Sequence, residues 1–106
     1  MDYKRLDYIT GDRSLHVDFV FMDCDPPIGW RIYIISKIDY GVRNTSSHAT
    51  HRLHAAGETY NYICWNGRIP TLQEAQAIAS LWSDAIALYI RNGGSFDEIV
   101  NKLLNK

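Results

Sequence analysis

The chain is poor in cysteine, in long apolar runs and in excess charge of either sign. Its two cysteines, Cys24 and Cys64, are too few for a disulfide framework and lack the four-ligand spacing of a structural zinc site. We therefore expect reduced thiols, no metal and no other cofactor. The most apolar stretch, residues 75–90, contains two serines and an aspartate and falls short of a membrane span.

The N-terminal residues lack the apolar core of a signal peptide. Two acidic and two basic side chains interrupt residues 1–10. Together with the lack of a membrane-spanning pattern, this predicts a cytoplasmic protein that does not contact a membrane.

Opposite charges are nearly balanced, with 11 Lys and Arg against 12 Asp and Glu and a net charge of −1. This balance argues against a protein that neutralises a nucleic-acid backbone or mimics one, so we do not expect nucleic acid to be the main partner. With 106 residues, of which 46% are hydrophobic, the chain suits one folded domain over residues 1–106.

Alternating apolar and polar residues predict a hairpin at the start of the chain. Residues 14–22 place apolar side chains on one face and a mixed set on the other. Residues 5–10 also alternate, and turn-forming residues at 11–13 separate the two segments. The two segments are therefore expected to pair as antiparallel strands.

Two later segments predict further strands. Residues 30–38 alternate, and residues 59–65 alternate after a turn at 55–58. The apolar face of the first segment carries Trp30, Ile32, Ile34 and Ile38. The whole pattern predicts an antiparallel sheet of four or five strands.

Two capping boxes predict two helices. Thr71 and Glu74 stand in capping register directly after a proline, and apolar residues recur at helical spacing over residues 75–89. Asn-Gly-Gly at 92–94 supplies the left-handed residues that end a helix, and a second box at 95–98 opens a short one. The predicted fold class is α+β: a four- or five-stranded antiparallel sheet with one long helix packed on one face and a short C-terminal helix.

Residues 41–57 contain no carboxylate and are rich in hydroxyl, imidazole and guanidinium groups. Such groups, with the backbone amides of a Gly/Ser-rich loop, hold phosphates and other anions. The segment is therefore a candidate site for a phosphorylated small molecule or a nucleotide, and an ordinary solvated loop is the alternative. The candidate ligand-binding residues are Arg43, Ser46, Ser47, His48, His51 and Arg52.

His48, Ala49 and Thr50 match the H-x-T tripeptide of two-histidine phosphoesterases. Those enzymes need a second such tripeptide to supply acid and base together, and the chain has no second copy. A small phosphoesterase that depends on His48 is therefore the last-ranked hypothesis, and the sequence predicts no catalytic residues.

One long helix covers only one face of a four- or five-stranded sheet. The other face would carry Val20, Met22, Tyr33 and Ile35. This largely apolar set would either face solvent or be covered by a second subunit or a target. The chain also contains seven tyrosines and three tryptophans, residue types that dominate binding at protein interfaces. We expect these four residues to bind a protein partner or to form a homodimer.

A strand followed by a capped helix also underlies a resemblance to other proteins. The residues that carry it are His51-Arg52-Leu53, the strand at 60–65, Ile69-Pro70-Thr71-Leu72-Gln73-Glu74-Ala75, Trp82 and Tyr89-Ile90-Arg91-Asn92-Gly93. From residue 52 to residue 96 the chain resembles small uncharacterised proteins carried by phages and conjugative elements of Gram-positive bacteria.

The resemblance implies an accessory protein of a mobile element that binds and blocks a host factor, such as a defence system. It implies no site residues. The leading hypothesis is therefore a non-catalytic binding protein. The alternative is a small-molecule binder that sequesters a phosphorylated or nucleotide ligand through residues 43–52.

Overall fold

The alternating N-terminal segments form an antiparallel hairpin in the computed structural model, which describes residues 3–26 and 28–105. Strand β1 (Tyr3–Ile9) pairs along its whole length with β2 (His16–Asp23). The predicted turn joins them, and the Thr10 N–H donates to the Leu15 carbonyl at 2.9 Å. The predicted hairpin is confirmed.

Three further strands complete a five-stranded antiparallel sheet in the order β1-β2-β3-β5-β4. They are β3 (Trp30–Ile34), β4 (Arg52–Leu53) and β5 (Asn61–Ile63). Strand β5 is shorter than the predicted segment at 59–65, because the chain bends at 59–60 and residues 64–65 have left the strand. Ile38 lies beyond the end of β3 but still packs, partly buried, against the core.

Residues 41–57, here called the polar segment, contain a short helix that the sequence patterns did not predict, α1 (Ser47–Thr50). The Ser46 hydroxyl caps it by accepting the N–H of Ala49 at 3.2 Å. The chain leaves α1 through His51, whose φ of 51° is left-handed. This turn directs the chain into β4.

The first capping box opens the long helix α2 (Leu72–Asn92), where the Thr71 hydroxyl accepts the N–H of Glu74 at 3.1 Å. The second box opens α3 (Phe96–Leu104), with Ser95 as its cap. Both predicted helices are confirmed, and α3 packs against α2. Within the described residues, neither helix combines the length and apolar character needed to cross a bilayer.

The hydrophobic core lies between α2 and one face of the sheet. The Trp82 indole stands edge-on to Phe19, with 6.2 Å between ring centroids, and its N–H donates to the Thr50 carbonyl at 3.0 Å. This contact ties α1 to the core side of the sheet. The sheet and α2 contribute Val17, Phe19, Phe21, Ile32, Ile34, Ala75, Ala79, Trp82, Ala85, Ile86 and Tyr89. The α+β class with one long helix on one sheet face and a short C-terminal helix is thereby confirmed.

Candidate functional site

The sheet face opposite α2, here called the outer face, carries the predicted partner-binding residues. Directly paired residues of an antiparallel sheet point to the same side. The pairs Val20↔Tyr33 and Tyr33↔Tyr62 therefore place these three side chains in one row across β2, β3 and β5. Met22 and Ile35 lie on the same side because they alternate with core residues.

The structure brings the four predicted residues together around one cavity, here called the outer cavity. Val20, Met22 and Ile35 are half-buried walls, and Tyr33 lies deeper, with 8% of its surface exposed. The end of the turn at 55–58 and the two residues after it supply the remaining wall. The cavity measures about 310 Å³ and is lined by Val20, Met22, Tyr33, Ile35, Glu58, Thr59 and Tyr60.

Of the residues that the structure describes, Glu58 is the one acidic residue that lines this apolar cavity. The Tyr33 hydroxyl donates to Oε2 of Glu58 at 2.8 Å. The second carboxylate oxygen, Oε1, is buried and has no hydrogen-bond partner among the described residues. Burial raises the pKa of Tyr33 above its usual value, because burial disfavours the phenolate. The neighbouring Arg31 side chain lowers this pKa, and the hydrogen bond to Glu58 raises it. Tyr33 is thus a protonated donor at neutral pH.

The sequence patterns did not single out Glu58. It falls in the predicted turn at 55–58, and the Glu58 N–H does donate to the Ala55 carbonyl at 3.1 Å. A His54 ring nitrogen contacts the Glu58 carbonyl oxygen and helps to fix this residue. Only the fold of the turn back over the sheet carries the carboxylate to the outer cavity.

The two arginines of the polar segment donate to oxygens of the protein itself. Arg43 reaches the end of α2, where Nε donates to the Ile90 carbonyl at 3.1 Å and Nη2 to the Arg91 carbonyl at 3.0 Å. Helix ends leave such carbonyls without partners, so Arg43 serves as a side-chain cap.

Arg52 is held in a similar way inside the polar segment. Its guanidinium donates to the Thr45 carbonyl and to the Thr50 hydroxyl, each at 3.0 Å, and lies 4.8 Å from the centre of the Tyr40 ring. These contacts order the segment around α1. The two guanidiniums therefore bind at different places instead of converging on one anion.

The remaining predicted ligand residues are dispersed. Ser46 caps α1, while Ser47 and His48 lie exposed on its first turn. His51 stacks on the Phe96 ring at 4.5 Å, and its Nε2 lies 3.2 Å from a carboxylate oxygen of Asp97. A phosphate-binding role for residues 43–52 stays a prediction.

A second cavity of about 370 Å³ lies between the sheet edge, α2 and α3. His51, Cys64 and Asp97 all line it, together with apolar and aromatic side chains. Nucleophilic catalysis would need the Cys64 thiol within hydrogen-bond reach of the imidazole. Among the described residues, the only hydrogen bond between these two positions is the Cys64 N–H donating to the His51 carbonyl at 2.8 Å.

Three side chains on the hairpin have the donor types of a metal site. Ligand atoms of Asp7, His16 and Asp18 lie within 4.8 Å of one another on the outer face. His16 pairs with Asp7, which lowers the pKa of Asp7 through the hydrogen bond. Arg5 lies 3.7 Å from Asp18. These contacts engage all three side chains of the cluster.

Comparisons of the chain with protein-family models, with curated proteins and with solved structures found no match.

Proposed function

We propose that this chain is a non-catalytic binding protein that engages a partner protein through its outer face. The observation that carries the proposal is the outer cavity, which combines apolar walls with a buried carboxylate oxygen that lacks a hydrogen-bond partner among the described residues. In line with the resemblance of residues 52–96 to mobile-element proteins, the proposed partner is a host protein that is blocked by being occupied.

The chemistry of the outer cavity favours a basic side chain of the partner. Burying a carboxylate oxygen without a donor is costly. A lysine or arginine head group that enters beside Glu58 would supply that donor once the carboxylate rotates toward it, because Oε1 is buried as the side chain stands. The aliphatic stem of the same side chain would contact Val20, Met22 and Ile35. A partner that inserts one such side chain would gain apolar contact and a charge-assisted hydrogen bond together.

The surroundings of the outer cavity fit the centre of a protein interface. Half-buried apolar and aromatic side chains that surround a pocket are typical of the few residues that dominate binding energy. Tyr60 is 44% exposed at the mouth of the cavity, and Leu53 is 40% exposed farther along the same face. They extend the apolar surface beyond the cavity itself.

Affinity capture with matched variants tests the proposal. Immobilised wild-type protein and its Ile35→Ala and Glu58→Gln variants are incubated with host lysate, and bound proteins are quantified by mass spectrometry. Both variants should lose about tenfold or more of one specifically captured protein. Tyr33→Ala is less suitable because Tyr33 is nearly buried and its truncation would cost stability.

Leu104→Ala provides the control, because Leu104 is an apolar residue on α3 with 64% of its surface exposed. Capture should be unchanged in this variant. If all variants retain the same captured proteins in the same amounts, the outer cavity is not the binding site and the proposal is wrong.

A further inference from the structure

Strand β1 forms one edge of the sheet, and no other strand of the described residues pairs with its outer side. Because the Thr10 N–H donates across the hairpin to Leu15, even-numbered positions of β1 direct their N–H and C=O groups toward β2. Odd-numbered positions direct theirs to the free edge. These positions are Tyr3, Arg5, Asp7 and Ile9.

The side chains of these four residues are complementary to those of a second copy. A twofold axis through Leu6 aligns two β1 strands antiparallel, with Arg5 opposite Asp7 of the other copy and Tyr3 opposite Ile9. Tyr3 and Ile9 are large apolar residues with 71% and 55% of their surfaces exposed. Each would then gain an apolar neighbour, and each charge would gain an opposite one.

Neighbouring registers lack this complementarity. Antiparallel pairing of two identical strands centred on Arg5 would place Arg5 against itself, and pairing centred on Asp7 would place Asp7 against itself. Like charges directly opposite each other destabilise a sheet. The sequence of β1 therefore selects the register centred on Leu6.

We propose that two copies of this chain pair through their β1 strands in this register and form one continuous sheet. Each opposed pair of odd-numbered residues exchanges two backbone hydrogen bonds, because these positions carry the edge N–H and C=O groups. The twofold axis stands perpendicular to the sheet. Both outer faces therefore lie on the same side of the dimer.

The side-chain contacts that Arg5 and Asp7 make within each copy are compatible with this arrangement. Arg5 lies 3.7 Å from Asp18, and 65% of its side-chain surface is exposed. Asp7 contacts His16 and also remains more than half exposed. Exposed pairs of this kind contribute little stability. Arg5 and Asp7 can therefore also contact the charged side chains of a partner strand, and no buried pair has to be broken.

Charge reversal tests the pairing and its register by sedimentation equilibrium at micromolar to submillimolar protein. Wild type should sediment with twice the mass of one chain. Arg5→Asp and Asp7→Arg should each weaken the dimer by about tenfold or more, because each places like charges opposite each other twice. An equimolar mixture of the two variants should restore a dimer, since every opposed pair is then opposite in charge.

Arg13→Asp is the matched control, because it makes the same charge change at an exposed turn residue and aspartate tolerates the left-handed φ of 61° there. Its dimer should match the wild type. A monomeric wild type would overturn the proposal. A dimer that resists both reversals, or variants that do not associate when mixed, would overturn it as well.

Discussion

Asp12 shows how one side chain fastens the first hairpin to the long helix. Its carboxylate accepts the N–H and hydroxyl of Ser14 and the hydroxyl of Thr10, and Arg91 of α2 donates to it at 2.9 Å. The hydrogen bonds from Ser14, then the one from Thr10, lower the pKa of Asp12 from 3.8 to about 2. The ionised form is therefore the one that the fold stabilises.

Replacing Asp12 with asparagine should cost about 1 kcal/mol of unfolding free energy at neutral pH, because charge-assisted hydrogen bonds become neutral ones. The pKa of Asp12 is lower in the folded state, so its contribution is present above about pH 4 and is lost as the pH falls toward 2. Urea unfolding followed by tryptophan fluorescence between pH 5 and pH 2.5 measures both effects.

The difference between wild type and Asp12→Asn should narrow as the pH falls through that range. Asp25→Asn is the control, because Asp25 is exposed and asparagine also tolerates its left-handed φ of 64°. This variant should leave the unfolding free energy nearly unchanged. A stability difference that stays constant with pH would contradict this role of the Asp12 carboxylate.

For Val20 and Tyr33 the sequence predicts the uncovered sheet face on which they lie, but it predicts neither the cavity there nor Glu58 beside them. Val20 and Tyr33 follow from strict alternation, which fixes the side of the sheet that each residue faces. Glu58 depends on how a turn folds back over the sheet. No local pattern encodes that path.

In the polar segment, the sequence shows the donor groups but not the acceptors that they meet. Arg43 and Arg52 suggested an anion site because guanidinium groups bind phosphates. In the fold their donors meet the carbonyls of residues 45, 90 and 91. Those carbonyls need donors as much as an anion does, and only the tertiary structure shows which acceptor lies within reach.

Among the elements, the helices were the most predictable because their signals are local. Each capping box combines a hydroxyl with a backbone N–H three residues later, and both contacts form. The short α1 was missed because four residues are too few to show a helical period. Strand β5 covers only three residues of the predicted segment at 59–65, and the alternation of that segment does not mark either end.

The backbone contact between the start of β3 and the residues just before α2 depends on one glycine. Gly29 has a φ of 73° and forms a parallel bridge with Ile69, where the Trp30 N–H donates to the Ile69 carbonyl at 2.8 Å. A Cβ at this position would lie 2.2 Å from that carbonyl oxygen. No side chain fits there without moving the backbone.

Gly29→Ala should therefore lower the unfolding free energy by more than about 2 kcal/mol, through the clash and the left-handed φ together. Gly41→Ala is the matched control, because Gly41 has a φ of 61° and open space around its Cβ position. It should cost only the strain of its φ, about 1 kcal/mol. Equal losses in both variants, measured by urea unfolding, would show that close approach to Ile69 is unimportant.

Two features of the one sheet, its outer face and its β1 edge, complement each other. The outer face supplies a cavity for a basic side chain, and the β1 edge is suited to a second copy. Pairing through β1 would place two outer cavities on the same side of one continuous sheet. Such a dimer would bind a target with two matching sites more tightly than one copy would, without new contacts.

The most direct test of the outer cavity uses a small probe with the chemistry expected of the partner. Methyl-labelled protein is titrated with n-butylguanidinium while the resonances of Val20, Met22 and Ile35 are followed by NMR. The three signals should shift and saturate, and n-butanol should have a much smaller effect because it lacks the charge. Glu58→Gln should weaken the guanidinium effect several-fold. Absent shifts, or shifts that are unchanged in Glu58→Gln, would contradict the proposed role of the cavity.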